Sequence, residues 1–239
     1  MKSYLIFGAS QGLGDAFARG LVKSGDKMWL VSRSRPSSLD LEDGAERIWI
    51  PADLSQPEAA DTIFEYVRQE RLDVAVYNVG IWEKEGFEEH YSFDRDEPEH
   101  ISRMIQTNIT SAIVCLQGLL PNLRQANAGK IILIGSTAGL SNGNNAQVTF
   151  VASKFAIRGI GEALREHLRQ DRIAVTCINP GELAAEIPYA AGRERALEAY
   201  GGTRIPLQDV VDLTNCLIGL SAAACVKEIH LPAMADTNA

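Results

Sequence analysis

No run of about 18 apolar residues occurs in this chain, so a membrane-spanning helix is not expected. The opening Met1-Lys2-Ser3-Tyr4-Leu5-Ile6-Phe7 runs into glycine before the core of a secretion signal could form. Cysteine is scarce. Cys115, Cys177, Cys216 and Cys225 lie far apart in apolar segments and form no CxxC pair, a pattern of reduced core thiols rather than of disulfides or a zinc site. Lys and Arg nowhere cluster, and 23 of them against 31 Asp and Glu leave a formal charge of −8. That balance disfavours nonspecific binding to nucleic acid or anionic lipid, which needs clustered cations. No internal repeat or low-complexity linker interrupts the 239 residues, which suffice for one sizeable domain rather than two. The expectation is one soluble, cytoplasmic domain, 1–239, with no metal, nucleic acid or membrane partner.

What is present reads as strands alternating with helices. Tyr4 to Phe7 is a short apolar run, followed by the turn Gly8-Ala9-Ser10-Gln11-Gly12-Leu13-Gly14 and by Phe17, Leu21 and Val22 at near-helical spacing. Strand, glycine turn and helix in that order let a pyrophosphate approach the free N–H groups and positive end of a helix. The spacing is GxxxGxG, and a glycine cluster alone is weak because a purely structural turn looks the same. Met28 to Ser32 is a second strand ending in Ser32-Arg33-Ser34-Arg35, where a dinucleotide fold meets the adenosine ribose. No acidic residue is there to receive a free 2′-hydroxyl. Arg33 and Arg35 suit a 2′-phosphate instead, which favours NADP(H) over NAD(H), unless both simply point into water. Arg47 to Pro51 is a third strand, with Asp53 and Leu54 beyond it at an adenine edge, Asp53 serving equally well as a helix cap.

Leu72 to Tyr77, Lys130 to Gly135, Ile173 to Ile178 and Val226 to Leu231 complete about seven strands. Their continuous Ile, Leu and Val content predicts an α/β doubly wound (Rossmann) parallel sheet flanked by helices. Asn78-Val79-Gly80 closes the fourth strand and Asn179-Pro180-Gly181 the sixth. From Ile81 to Pro98 the sequence turns acidic and aromatic, a loop at a site mouth acting as substrate wall or solvated flap. A long helix is expected through Met104, Ile109 and Leu116 with Asn108 in its middle, and another from about Gln147 to Arg169, apolar on more than one side. Glu182 to Gly202 reads as a lid or as a helix packed on the body.

These motifs in order resemble the short-chain dehydrogenase/reductase family over nearly the whole chain. The resemblance implies that Gly8, Ser10, Gln11, Gly12, Leu13 and Gly14 form the cofactor loop, that Asp53 and Leu54 meet adenine, and that Asn78 and Gly80 belong to the NAG segment. It implies further that Pro180 and Gly181 sit beside nicotinamide, and that Asn108, Ser136 and Lys154 are catalytic, Asn108 ordering a water between Lys154 and solvent. Two positions depart. Phe150, four residues before Lys154 and so on the same helical face, stands where the family has its catalytic tyrosine, and Ala185 stands where a threonine contacts the carboxamide. No register error explains the first, since Tyr4, Tyr66, Tyr77, Tyr91, Tyr189 and Tyr200 all lack a lysine four residues on.

Three readings follow. The first is an NADP(H)-dependent carbonyl reductase or alcohol dehydrogenase acting on a small carbonyl compound or its alcohol as a homodimer or homotetramer, with Phe150 a substitution that removes the proton donor and nearly all turnover. The second is a natural non-catalytic NADP(H)-binding sensor or assembly subunit. A dehydratase or isomerase using the same pocket is a third.

Overall fold

The computed structural model describes residues 1–141 and 145–236. In chain order, β1 (Ser3–Phe7) leads through the glycine turn into α1 (Gly12–Gly20), followed by β2 (Lys27–Ser32), β3 (Glu46–Pro51), α2 (Ala59–Val67) and β4 (Val74–Tyr77). A long loop ends at α3 (Pro98–Ile105), which passes through one π-helical turn, Gln106–Thr110, into α4 (Ser111–Leu123). Then come β5 (Lys130–Ile134), α5 (Val148–His167), β6 (Ala174–Pro180), α6 (Arg193–Tyr200), α7 (Leu207–Gly219) and β7 (Glu228–Leu231). All seven strands pair in parallel in the order β3-β2-β1-β4-β5-β6-β7.

The strands are apolar throughout because both faces of the sheet are covered. Leu5 and Phe7 of β1 join Val31, Ala75, Tyr77 and Leu133 on one face, packed by Ile63 of α2, Leu116 of α4 and Ile157 of α5. Tyr4 and Ile6 turn to the other face with Leu30, Val76 and Ile132, packed by Phe17 of α1 and Val210 of α7. Each such fully buried aliphatic side chain contributes about 1.5–3 kcal/mol. The chain builds outward from β1 to β3 and returns to β4, so winding reverses between β1 and β4. Beyond the carboxyl ends of those two strands lies the crevice where such sheets bind ligands.

Two expectations need correction, and a third is narrowed. The helix read through Asn108 is not continuous: the π turn interrupts it, and Asn108 stands within that turn. A turn of this kind admits one extra residue, and the buried Asn108 side chain finds its partners outside the helix. Only Cys115 and Cys177 are core thiols, while Cys216 and Cys225 are exposed. The segment 182–202 is anchored at several points: Arg204 pairs with Glu182 and Glu186, Arg193 pairs with Asp209 and Asp212, and the Leu183 backbone bridges Ile205.

Candidate active site

The glycine turn meets the end of β4 at the reversal point. Gly8 and Ala9 donate to the Val31 carbonyl at 2.9 and 3.1 Å, which fixes the turn to β2. A Cβ on Gly8 would lie 2.9 Å from the Asn78 carbonyl oxygen, and one on Gly14 would overlap the Gly8 carbonyl oxygen. Gln11 precedes α1 in extended conformation and gives its helix no side-chain cap. The first-turn N–H groups of Gly12, Leu13 and Gly14 therefore need an acceptor from outside, and a pyrophosphate fits that need. Ala185, on the loop after β6, comes within 3.5 Å of where a Cβ of Gly12 would stand. Ser10 is half-buried in the same turn.

The two arginines after β2 separate in the structure. Arg35 forms a forked pair with Asp40 at 2.9 and 2.6 Å, so it is already engaged. Arg33 is exposed. Asp53 accepts from the Ser55 N–H at 3.0 Å in a local turn and is not a helix cap, since α2 begins only at Ala59 with Glu58 before it. Leu54 is buried in the core, so only its main chain can face a nucleotide.

Across the crevice, β5 ends at Ile134 and turns at Ser136, whose Oγ accepts from the Ala138 N–H at 3.1 Å. The hydroxyl proton is left to donate outward. Gly139 in that turn packs so closely that an added Cβ would lie 2.8 Å from the Lys154 carbonyl carbon, which brings Ser136 and Lys154 together. The Lys154 ammonium donates to the Ile134 carbonyl at 3.2 Å, borders Gly80, and lies 5.4 Å from the centre of the Phe150 ring. Pro180 closes β6 in the strand next to β5, and Gly181 donates to Leu231 at 2.9 Å.

The Asn108 side chain is engaged on both of its polar atoms. Its Oδ1 accepts from the Ile81 N–H at 2.9 Å, and its Nδ2 donates to the Ile81 carbonyl at 2.8 Å and to Ser153 Oγ at 3.0 Å. It clamps the loop leaving β4 to α5. That loop is no plain solvated flap, because Glu83 within it is fully buried and accepts from the backbone of α5. The exposed Trp82 and Phe87 rings beside it meet edge to face at 5.5 Å, an apolar wall. Among the described residues no His, Cys, Asp and Glu group could hold a metal, and no helix is long and apolar enough to cross a membrane.

A model of the short chain dehydrogenase family matches residues 2–195. The chain belongs to that family. A 3-oxoacyl-(acyl-carrier-protein) reductase from Aggregatibacter actinomycetemcomitans is 30% identical over 240 residues, covering 95% of this chain and 96% of the relative. Pseudomonas aeruginosa RhlG, solved in an active-site complex with NADP, is 26% identical with a TM-score of 0.78 over 97% of this chain and 94% of its own. A 3-oxoacyl-(acyl-carrier protein) reductase from Brucella melitensis, solved with NAD, shares the fold at TM-score 0.78, 21% identity and 97% and 95% coverage.

In this short-chain dehydrogenase the sequence does not single out Glu83, Arg158 or Glu228. Glu83 hides in a run of acidic residues, and such runs are usually solvated. Arg158 pairs with Glu228, which receives Asn179 Nδ2 at 2.7 Å, and donates to the Gly139 carbonyl at 2.7 Å, tying the Ser136 turn to the end of β6. Burial pushes the Lys154 ammonium down to about 8 from its ordinary 10.5. Below 8 the group is charged folded and unfolded, so the full burial cost is present, and it fades as pH rises to 10.5. Lys154→Met is therefore expected to stabilise the dehydrogenase by about 2 kcal/mol at neutral pH and by little at about pH 10, read by urea denaturation.

Proposed function

We propose that this chain is an NADP(H)-dependent oxidoreductase that interconverts a small, largely apolar carbonyl compound and its alcohol, with turnover nearly abolished by Phe150 in the place of the family's catalytic tyrosine. The observation that carries this reading is the buried Lys154 ammonium, held beside Gly80, the Ser136 turn and the Phe150 ring at the crevice of the sheet. A buried ammonium with a single carbonyl acceptor is costly, and such groups persist where they serve a site.

NADPH, when bound, supplies the hydride. The residues of this chain supply the rest: Gly8, Ser10, Gln11, Gly12, Leu13 and Gly14 receive the pyrophosphate, Arg33 the 2′-phosphate, and Asp53 with the Leu54 main chain the adenine. Asn78, Gly80 and Lys154 would hold the nicotinamide ribose, and Pro180 and Gly181 would receive the nicotinamide. Ser136 donates to the substrate oxygen. Asn108 acts by holding Ile81 and Ser153, so the loop and α5 keep one spacing. What is missing is a group on the ring at position 150 to deliver a proton. Restoring it is the test of the reading.

Arg33→Ala is expected to weaken NADPH binding about tenfold or more while leaving NADH unchanged, since one charge-assisted contact is worth about 1.5–3 kcal/mol. Fluorescence titration with both nucleotides measures the ratio, and an unchanged ratio refutes the NADP assignment.

A second reading, a non-catalytic NADP(H)-binding sensor or assembly subunit, draws on Ala185, whose exposed methyl offers no hydrogen bond to a carboxamide. It predicts tight cofactor binding and no turnover with tyrosine restored. On either reading a homodimer or homotetramer through α4 and α5 is proposed, because Ile113, Val114, Val148 and Phe155 are 39–49% exposed on those two helices. The nucleotide and free thiols fit a cytoplasmic setting.

A further inference from the structure

Helix α5 has no cap of its own. Gln147 precedes it with φ −75° and ψ 89°, and its side chain makes no capping bond. The amide is spent elsewhere, donating to the Gly86 carbonyl at 2.6 Å. The second and third N–H groups of the helix, Thr149 and Phe150, are those an N-cap side chain normally satisfies. Here both donate to one oxygen of Glu83, at 2.9 and 3.0 Å, from 66 and 67 residues away in sequence. Glu83 is fully buried, and its other oxygen, Oε2, is buried with no partner. A serine or aspartate at position 147 would cap the helix without burying a half-satisfied carboxylate. Something beyond capping retains this one.

The placement shows what. The bonded N–H belongs to residue 150 itself, and Lys154 stands one turn further along the same helix. The loop that carries Glu83 begins at Gly80, against the Lys154 ammonium, and is pinned at Ile81 by Asn108. We propose that Glu83 is a positioning residue that locks the loop after β4 to the first turn of α5 and, by its charge, would set the acidity of a tyrosine placed at position 150. This rests on the proposed reductase reading. The titratable groups packed at the junction are Lys154 on α5, Tyr91 with its partner Asp96 on the loop, and His100 on α3, whose ring bonds the Trp82 carbonyl. Tyr91 already shows the influence, its phenol raised by burial, by the bond to Asp96 and by the Glu83 charge.

A carboxylate near a phenol stabilises the protonated form, so removing the charge lowers the phenol's pKa. Glu83→Gln keeps an oxygen for the two N–H groups, deletes the charge and puts an amide NH2 where Oε2 stood. In a Phe150→Tyr background it is expected to move the pH limb of carbonyl reduction down by about one unit, with NADPH affinity unchanged within about twofold. Glu83→Ala strands both N–H groups and is expected to lower the melting temperature by about 4 °C and kcat about tenfold, with Glu83→Gln restoring both. Ultraviolet titration reads the same group without turnover: subtracting the matching protein with Phe150 retained and the same residue at position 83, which holds the other six tyrosines and the same change at Tyr91, isolates the introduced phenol. If Phe150→Tyr proves inactive the reductase reading fails, and the absorbance titration still decides the role of Glu83. An unmoved phenol titration with Glu83→Gln overturns the proposal and leaves a merely structural cap.

Discussion

Phe150→Tyr is expected to raise NADPH-dependent carbonyl reduction by a factor on the order of 10² to 10⁴, the usual contribution of a positioned general acid. The change adds one hydroxyl and keeps the ring, which is half-buried in the first turn of α5 with the Lys154 ammonium 5.4 Å from its centre. A free phenol with pKa about 10 gives up its proton reluctantly at neutral pH. Beside Lys154 the phenolate would be stabilised and the phenol made a better donor, and Ser136 Oγ accepts from its own turn without spending its proton there. The measurement is the rate of NADPH oxidation against a panel of small ketones and aldehydes, parent against variant. No gain with any of them, alongside tight NADPH binding, transfers the chain to the non-catalytic reading. Thr149 and Ser153 do not stand in for the missing hydroxyl: Thr149 is buried one helical step away, and Ser153 donates to the Phe150 carbonyl at 2.7 Å.

Gly14→Ala is expected to remove NADPH binding and most of the soluble, folded protein. The new Cβ would overlap the Gly8 carbonyl oxygen and come within 2.7 Å of its carbon. Neither side can yield. The Gly8 turn is bonded to Val31, and α1 is packed by Leu13, Ala16 and Phe17 against the core. Displacing a buried helix costs about 4 kcal/mol or more, a large share of a typical stability of about 5–15 kcal/mol. Gly159→Ala on α5 is the control. Nothing lies within 4 Å of its added Cβ, so helix propensity alone should stabilise the protein by about 0.5–1 kcal/mol. Thermal melts and nucleotide titration of the two variants separate backbone collision from any general intolerance of alanine; equal behaviour would contradict the packing described.

The fold was readable because a parallel sheet covered on both faces needs continuous apolar strands, and β1, β2, β4 and β5 carry that pattern with few exceptions. The glycine turn was readable for a similar reason: Gly8, at φ +76°, and Gly14, against a carbonyl, occupy places where a side chain is strained or excluded. Asn108 was legible only as an anomaly. A polar residue amid a helical apolar pattern signals that something is wrong with a plain helix, and the π turn is what is wrong. Its partners Ile81 and Ser153 lie 27 and 45 residues away, beyond the reach of any local rule. Arg33 and Arg35 looked alike in sequence, and only the Asp40 pair distinguishes them.

Sequence alone determined the parallel sheet, its strand sequence along the chain, the glycine turn and the Phe150–Lys154 spacing, because each follows from local sterics or from periodicity of burial. Tertiary structure decided which arginine is free, what Asn108 holds and that Glu83 caps the helix bearing Phe150. The last two are contacts between segments distant in the chain, while the first is a choice of partner five residues away that spacing alone does not make. Their partners are chosen by packing, and an acidic residue in an acidic loop carries no local sign that it will be buried against a helix end.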